Sequence, residues 1–346
     1  MLYFNNDYNV ICHNAILERL QQLGGTQLPG YGVDEICESA KAMIRKKCGR
    51  EDAAVHFLVG GTQTNLTVIA ASLRPHHAVI AADSGHISVH ETGAIEATGH
   101  KVVELPGTDG KLTAEQIRKT VTSGSYVMDP EHCVLPKLVY ISHPTEIGTL
   151  YTRAELEDLR KLCDELGMKI FMDGARLGYG LTAADTDVTM EDIARLTDVF
   201  YIGGTKVGAM MGEAVVITDP AIAEDFRHLI KQKGGMLAKG WLLGVQFQVL
   251  MEDDLYYKIA EHANRQADQI RDTLQQLQVP FYMQTTTNQI FPILPNAVLK
   301  ELEKDFTFAP WEVMDETHTA VRFCTSWATA QEATDALCSR LRQLLA

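Results

Sequence analysis

The chain has no Cys-x-x-Cys pair, no apolar run long enough to span a bilayer, no excess of basic charge, and no repeat or low-complexity segment. Each absence removes a class of function. Seven cysteines, odd in number and scattered, give no disulfide framework and fit buried free thiols in a reducing cytoplasm. With 31 basic against 45 acidic residues the net charge is −14, which argues against a nucleic-acid or anionic-membrane partner. Met1 leads straight into LYFNNDYNV, without a basic stretch and an apolar core behind it, so no secretory signal is expected. No segment reaches the length of a membrane span.

What is present is an ordinary globular composition, 46% hydrophobic and 22% charged over 346 residues, enough for one large domain and a smaller one. From residue 55 the pattern is regular. Apolar runs at 55–61, 77–83, 100–106, 137–143 and 169–174 read as strands. Segments at 62–73, 89–98, 113–121, 153–166 and 190–196 read as the helices between them. Strands that are continuous apolar runs and alternate with helices predict an α/β fold, with a mainly parallel sheet covered by helices on both faces. After Pro220 the style changes: a helix at 221–233, a long helix at 236–278 broken near 252–254, then a short α+β tail. The expected division is an N-terminal segment 1–50, a large domain 51–245 and a small C-terminal domain 246–346.

Ligands of such sheets bind beyond the carboxyl ends of the strands, and those ends carry the chemistry-bearing residues here. The stretch DVFYIGGTKVGAMMGEAVVI (198–217) is central. Two glycines end a buried strand and present Lys206, and a second apolar run follows. A lysine held between buried strands has its pKa lowered by desolvation, and a neutral amine there attacks a carbonyl to form a Schiff base. GGTQTN (60–65) joins strand to helix, where glycines and free helix-terminal N–H groups suit a phosphate; the plain alternative is a tight turn with an N-cap. FMDGAR (171–176) puts Asp173 at a strand end, either as a turn cap or as the partner of a pyridine nitrogen. DSGHISVHETG (83–93) offers His86, His90 and Glu91. A metal pair at His86 and His90 lacks a further ligand cluster, so His86 reads as a ring stacked on a flat cofactor and His90 as structural.

Taken in order, PGYGVD, the Gly-Thr turn, the Asp83-to-His86 stretch, MDGAR, the lysine stretch, KGGM and the late VRF resemble the threonine aldolase group of the β-eliminating lyases. These are pyridoxal-phosphate enzymes of the aspartate-aminotransferase fold. The resemblance runs over nearly the whole chain. It implies that Lys206 holds pyridoxal 5′-phosphate, Asp173 pairs with its ring nitrogen, His86 stacks on the ring, and Gly61 and Thr62 bind the phosphate. It implies that Arg176 and Arg322 hold the substrate carboxylate through their forked guanidinium groups. It also implies a homodimer or homotetramer with shared active sites, Tyr31 lying near the site of the neighbouring subunit.

Three departures bear on substrate. The family's Leu-Arg-Ser-Asp stretch reads Phe4-Asn5-Asn6-Asp7, leaving Asn6 to donate to a carboxylate. Its Thr-His pair falls within SHPTEIGT (142–149), where Glu146 rather than His143 takes the histidine's place. Its Gly-Gly-Gly-Met-Arg reads Lys233-Gly-Gly-Met-Leu237, so Lys231 or Lys233 would supply the missing charge. The expected activity is retro-aldol cleavage of a β-hydroxy amino acid to glycine and an aldehyde, with Glu146 as the proton-handling group. β-Elimination or transamination on the same cofactor is the alternative within the enzyme class, and a non-catalytic scaffold the alternative outside it.

Overall fold

The computed structural model describes residues 1–345. In chain order the strands are β1 (Leu2–Tyr3), β2 (Ala54–Leu58), β3 (His77–Ala82), β4 (Lys101–Leu105), β5 (Leu135–Ser142), β6 (Lys169–Asp173), β7 (Val199–Gly203) and β8 (Glu213–Ile217), then β9 (Phe281–Met283), β10 (Gln289–Pro295), β11 (Phe306–Thr307), β12 (Ala309–Val313) and β13 (His318–Cys324). Seven of them form the large sheet, in the order β2-β8-β7-β6-β5-β3-β4. The neighbours β7-β6-β5-β3-β4 are parallel, and β8 runs against both β7 and β2. Every residue of β7 and β8 is buried, as expected of strands covered on both faces.

Helices form where the local chemistry favours them. The helix Arg153–Leu166 starts at a capping box of Thr152 and Glu155, and Gly167 ends it in the left-handed region at φ 58°. Its Leu156, Leu159, Leu162 and Cys163 recur at helical spacing and are buried among the other residues of that face. The second face of the sheet, with Tyr140, Phe171 and Tyr201, packs under the helix Gly61–Ser72.

The helix Leu255–Gln276 carries the chain from one core to the other. Tyr256, Ile259, Ala260 and Ala263 pack with the large sheet, whereas Ala267, Ile270 and Leu274 join a smaller core over the sheet β12-β13-β10-β9. Phe4 is buried in that smaller core, beside the parallel pair β1 and β11. No helix among the described residues is long and apolar enough to cross a membrane.

Two expected helices are corrected. Residues 89–98 hold no continuous helix: one turn, His86–Val89, is followed by a break at Thr92 and Gly93, both at positive φ, and by a 3-10 turn at Glu96–Thr98. The helix expected at 221–233 is two, Pro220–Ala223 and Phe226–Gln232, parted at Asp225, whose φ is 56°. Positive φ cannot be accommodated within a right-handed helix.

Candidate active site

Strand register lines up the site. Ser142 pairs with Asp173 at the ends of β5 and β6, and Gly203 of β7 pairs with Glu213 of β8, itself paired with Leu58 of β2. The turns beyond these positions border a cavity of about 340 Å³. Its lining includes Gly61, Thr62, His86, Glu146, Asp173, Arg176 and Lys206. Seven residues singled out in the sequence, scattered over 146 positions of chain from Gly61 to Lys206, thus meet in one place. Asn6, Tyr31 and Arg322 do not line it.

Lys206 follows β7 in a turn made possible by close approach. A side chain at Gly203 would put its Cβ 2.3 Å from the Ala175 carbonyl oxygen, so only glycine fits there. The lysine's carbonyl accepts a hydrogen bond from the Tyr179 hydroxyl, while its Nζ makes no ion pair or hydrogen bond among the described residues. Burial pushes its pKa down. Arg176 adds to this, and Asp7, Asp173 and Glu213 oppose it without prevailing. The outcome is an amine more readily neutral than an ordinary lysine.

Asp173 is a fully engaged carboxylate. Its Oδ2 accepts from the Tyr140 hydroxyl at 2.6 Å and from Asn65 Nδ2 at 3.2 Å, and its Oδ1 accepts from the Ala175 N–H at 2.9 Å. Burial, and the charge of Asp173 itself, keep the Tyr140 phenol protonated and therefore a donor. The same Asn65 amide donates to Glu91 Oε1 at 2.6 Å, and that oxygen lies 2.7 Å from His86 Nδ1. A carboxylate oxygen only accepts, so the imidazole proton sits on Nδ1 and Nε2 is left as the free position. Burial lowers the pKa of His86, but the Glu91 hydrogen bond and the Asp173 charge outweigh it and the net shift is upward. His90 is exposed beside it, the two rings 5.5 Å apart.

Glu146 borders the cavity from the loop after β5. Its Oε1 accepts from the His86 N–H at 2.9 Å and from the Ser142 hydroxyl at 2.6 Å. Burial pushes its carboxyl up; the Ser142 hydrogen bond works against this and Asp173 works with it. His143 lies elsewhere: it is fully buried away from the cavity, its Nε2 has no partner, and burial pushes its pKa down to about 4.

The helix Gly61–Ser72 opens without a side-chain cap, since Gly60 is its N-cap. Its first N–H groups therefore remain available to an anion at the cavity wall. Arg176 is held by Asp7, Nε at 2.7 Å and Nη2 at 3.0 Å, which leaves Nη1 free. Arg322 donates to Gln289 Oε1 at 3.1 Å and to the Asn5 carbonyl at 3.0 Å, and lies over the Trp311 ring at 5.7 Å. Asn6 accepts from the Tyr8 N–H at 3.0 Å, and Tyr8 itself borders the cavity. Tyr31 is half exposed with Lys231 5.3 Å from its ring centre. Neither Lys231 nor Lys233 borders the cavity. Sequence reasoning missed Asp7 and Glu213 as site residues, and gave Glu91 no role.

The family model for β-eliminating lyases matches residues 22–296. The chain belongs to the β-eliminating lyase family. Over its whole length it superposes on a structure described as Leishmania major threonine aldolase, with 46% identity and a TM-score of 0.96, covering all of both chains. It is 29% identical to a low-specificity L-threonine aldolase of Pseudomonas aeruginosa over 87% of this chain and 84% of that one. It is 27% identical to another from a Pseudomonas species over 99% and 97%. A Thermus thermophilus aspartate aminotransferase, 16% identical at a TM-score of 0.71 over 100% of this chain and 92% of that one, shares the fold. Membership makes this family member a pyridoxal-phosphate-dependent lyase. The residues present fit that cofactor: an unpaired amine, a carboxylate held ready by three donors, and an uncapped helix terminus border one cavity of suitable size.

Proposed function

We propose that the chain cleaves β-hydroxy amino acids of the threonine type to glycine and an aldehyde. The observation that carries this reading is the meeting of Lys206, Asp173, His86 and Glu146 around a single cavity. The likeness to named threonine aldolases, spread over the whole chain, supports it.

Bound pyridoxal phosphate supplies the electron sink for the pair released from the Cα–Cβ bond. The remaining work falls to side chains of the chain. Lys206, its ammonium disfavoured by burial, is the amine that attaches the cofactor. Asp173 would pair with the ring nitrogen, its oxygens kept in place by Tyr140, Asn65 and the Ala175 N–H. Gly61 and Thr62 would hold the phosphate with the first N–H groups of their helix. His86, which borders the cavity, would stack on the ring. Arg176 offers Nη1 to the substrate carboxylate, with Arg322 and Asn6 as the further groups for that carboxylate. Glu146 takes the β-hydroxyl proton; its raised pKa suits a base working near neutrality. In this reading the chain works in the cytoplasm as a homodimer or homotetramer, with Tyr31 reaching the partner's site.

Borohydride reduction of the cofactor-loaded protein, followed by peptide mapping, tests the reading. The cofactor should be fixed on Lys206. Fixation on another lysine overturns it.

A further inference from the structure

Glu146 stands on a loop, and a loop places a side chain less exactly than a strand does. Ser142 is the last residue of β5, and the sheet fixes its backbone. It pairs with Asp173 of β6, and the next N–H, that of His143, donates to the Asp173 carbonyl at 2.9 Å. Ser142 and Glu146 both border the cavity. The Ser142 hydroxyl donates to Glu146 Oε1 at 2.6 Å, and the His86 N–H donates to the same oxygen at 2.9 Å. Other contacts of the loop hold its backbone: the Thr145 N–H donates to the Thr149 carbonyl, and Gln289 Nε2 to the Glu146 carbonyl at 3.4 Å. Among the described residues, Ser142 is the one side chain that donates to this carboxylate. The plain alternative is a hydroxyl that only satisfies its own need for a partner in a buried place.

We propose that Ser142 is the positioning residue of Glu146: from a fixed strand end its hydroxyl holds the loop carboxylate at the cavity in the form that accepts a proton. The inference rests on the reading of Glu146 as the base for the β-hydroxyl. In that step the proton passes from the substrate oxygen to the Glu146 carboxylate, and the Ser142 O–H bond stays intact. A hydroxyl donor stabilises the charged form of its acceptor, and such bonds are stronger than those between neutral groups. The balance at Glu146 follows this rule. Burial pushes the carboxyl up and Asp173 adds to that, while the Ser142 hydrogen bond is the largest influence in the other direction. The ionisable groups facing Glu146 are Asp173 on β6, Tyr140 on β5, Tyr151 beyond the loop, and His86 with Glu91 behind it. Arg176, Lys206 and Glu213 border the same cavity.

The test follows the side-chain carboxyl carbons of isotope-labelled glutamate by nuclear magnetic resonance in the cofactor-loaded protein. The Glu146 signal is identified by its absence from Glu146→Gln. In Ser142→Ala, Glu146 should ionise about one pH unit higher than in the wild type, because the donor to its charged form is gone. Ser142→Thr keeps the hydroxyl and should restore the wild-type titration. With L-threonine as substrate, Ser142→Ala should lose more kcat at about pH 6 than at about pH 8.5, with KM little changed, since alkaline pH restores the ionised carboxylate. Damage to the fold alone would cost the same at both. An unshifted Glu146 titration in Ser142→Ala, or a loss of kcat equal at the two pH values, overturns the proposal. If Ser142→Ala does not fold, Ser142→Cys, a weaker donor of similar size, is read in the same way. Cleavage by Glu146→Gln at the wild-type rate would defeat the reading of Glu146 as the base and the proposal with it, whereas an unshifted titration defeats the proposal alone.

Discussion

Asp7 grips Arg176 at two points, Oδ2 to Nε at 2.7 Å and Oδ1 to Nη2 at 3.0 Å, with both side chains nearly closed to solvent. Asn288, at the threshold of β10, donates to the same Oδ2 at 3.0 Å. One carboxylate from the N-terminal segment therefore ties the turn after β6 to the smaller sheet. Burial works against its ionisation, but Arg176 and Lys206 prevail and its pKa falls.

Asp7→Asn should destabilise the protein by about 3 kcal/mol or more, since it leaves a buried guanidinium without its counter-charge. Urea unfolding compared with wild type checks this. A difference below about 1 kcal/mol would place the clamp among contacts of no consequence for stability.

The pairing of Glu91 with His86 gives a prediction of sign. Burial alone lowers the histidine's pKa, and the net upward shift comes from Glu91 and Asp173. In Glu91→Gln, His86 should therefore titrate at lower pH than in the wild type, as read from its imidazole proton by nuclear magnetic resonance. An unchanged titration would mean that Glu91 does not govern the protonation of His86.

His143 should make stability depend on pH. Its pKa is near 4 in the folded protein and 6.5 without burial. Between those values the unfolded chain binds a proton that the folded chain refuses, so stability is lost as pH falls from 6.5 towards 4. The loss amounts to about 3 kcal/mol at most. Half-buried His56, pushed down to about 3 by desolvation and nearby basic side chains, adds to that slope. His143→Asn should flatten the curve of unfolding free energy against pH by about one proton. Parallel curves for variant and wild type would contradict the assignment.

The strands of the large sheet were legible because each is mostly apolar, interrupted at His56 in β2, Glu104 in β4 and Lys137 in β5, and the site residues at their carboxyl ends followed from topology. Glu213 escaped the same logic because β8 is reversed, and strand direction is not written in EAVVI. Asp7 escaped because its partner, Arg176, is brought to it only by the tertiary fold. Glu91 was visible beside His86, yet nothing in the spacing said that Asn65 would bridge it to Asp173. Strands β9 and β12 are short and only partly buried, and they pair at the sheet's rim, so periodicity was weak. The broken helices turned on positive-φ residues, Thr92 and Gly93 in the first and Asp225 in the second.

Glu146 decides how the β-hydroxyl proton is handled. Glu146→Gln keeps the size of the side chain and should lower aldol cleavage at least about tenfold, at the low end of general acid–base effects. Absorbance of the bound cofactor should be unchanged. Glu146→His should retain part of the rate, since an imidazole at that place can accept the same proton. If both variants cleave as fast as wild type, the carboxylate only braces the loop through Ser142 and the His86 N–H.

The most direct test of the functional reading is to incubate the cofactor-loaded protein with L-threonine and measure all products separately. Glycine and acetaldehyde should appear in equal amounts. Ammonia and 2-oxobutyrate without glycine would mean that the same cavity performs β-elimination, and would contradict the aldol cleavage proposed here.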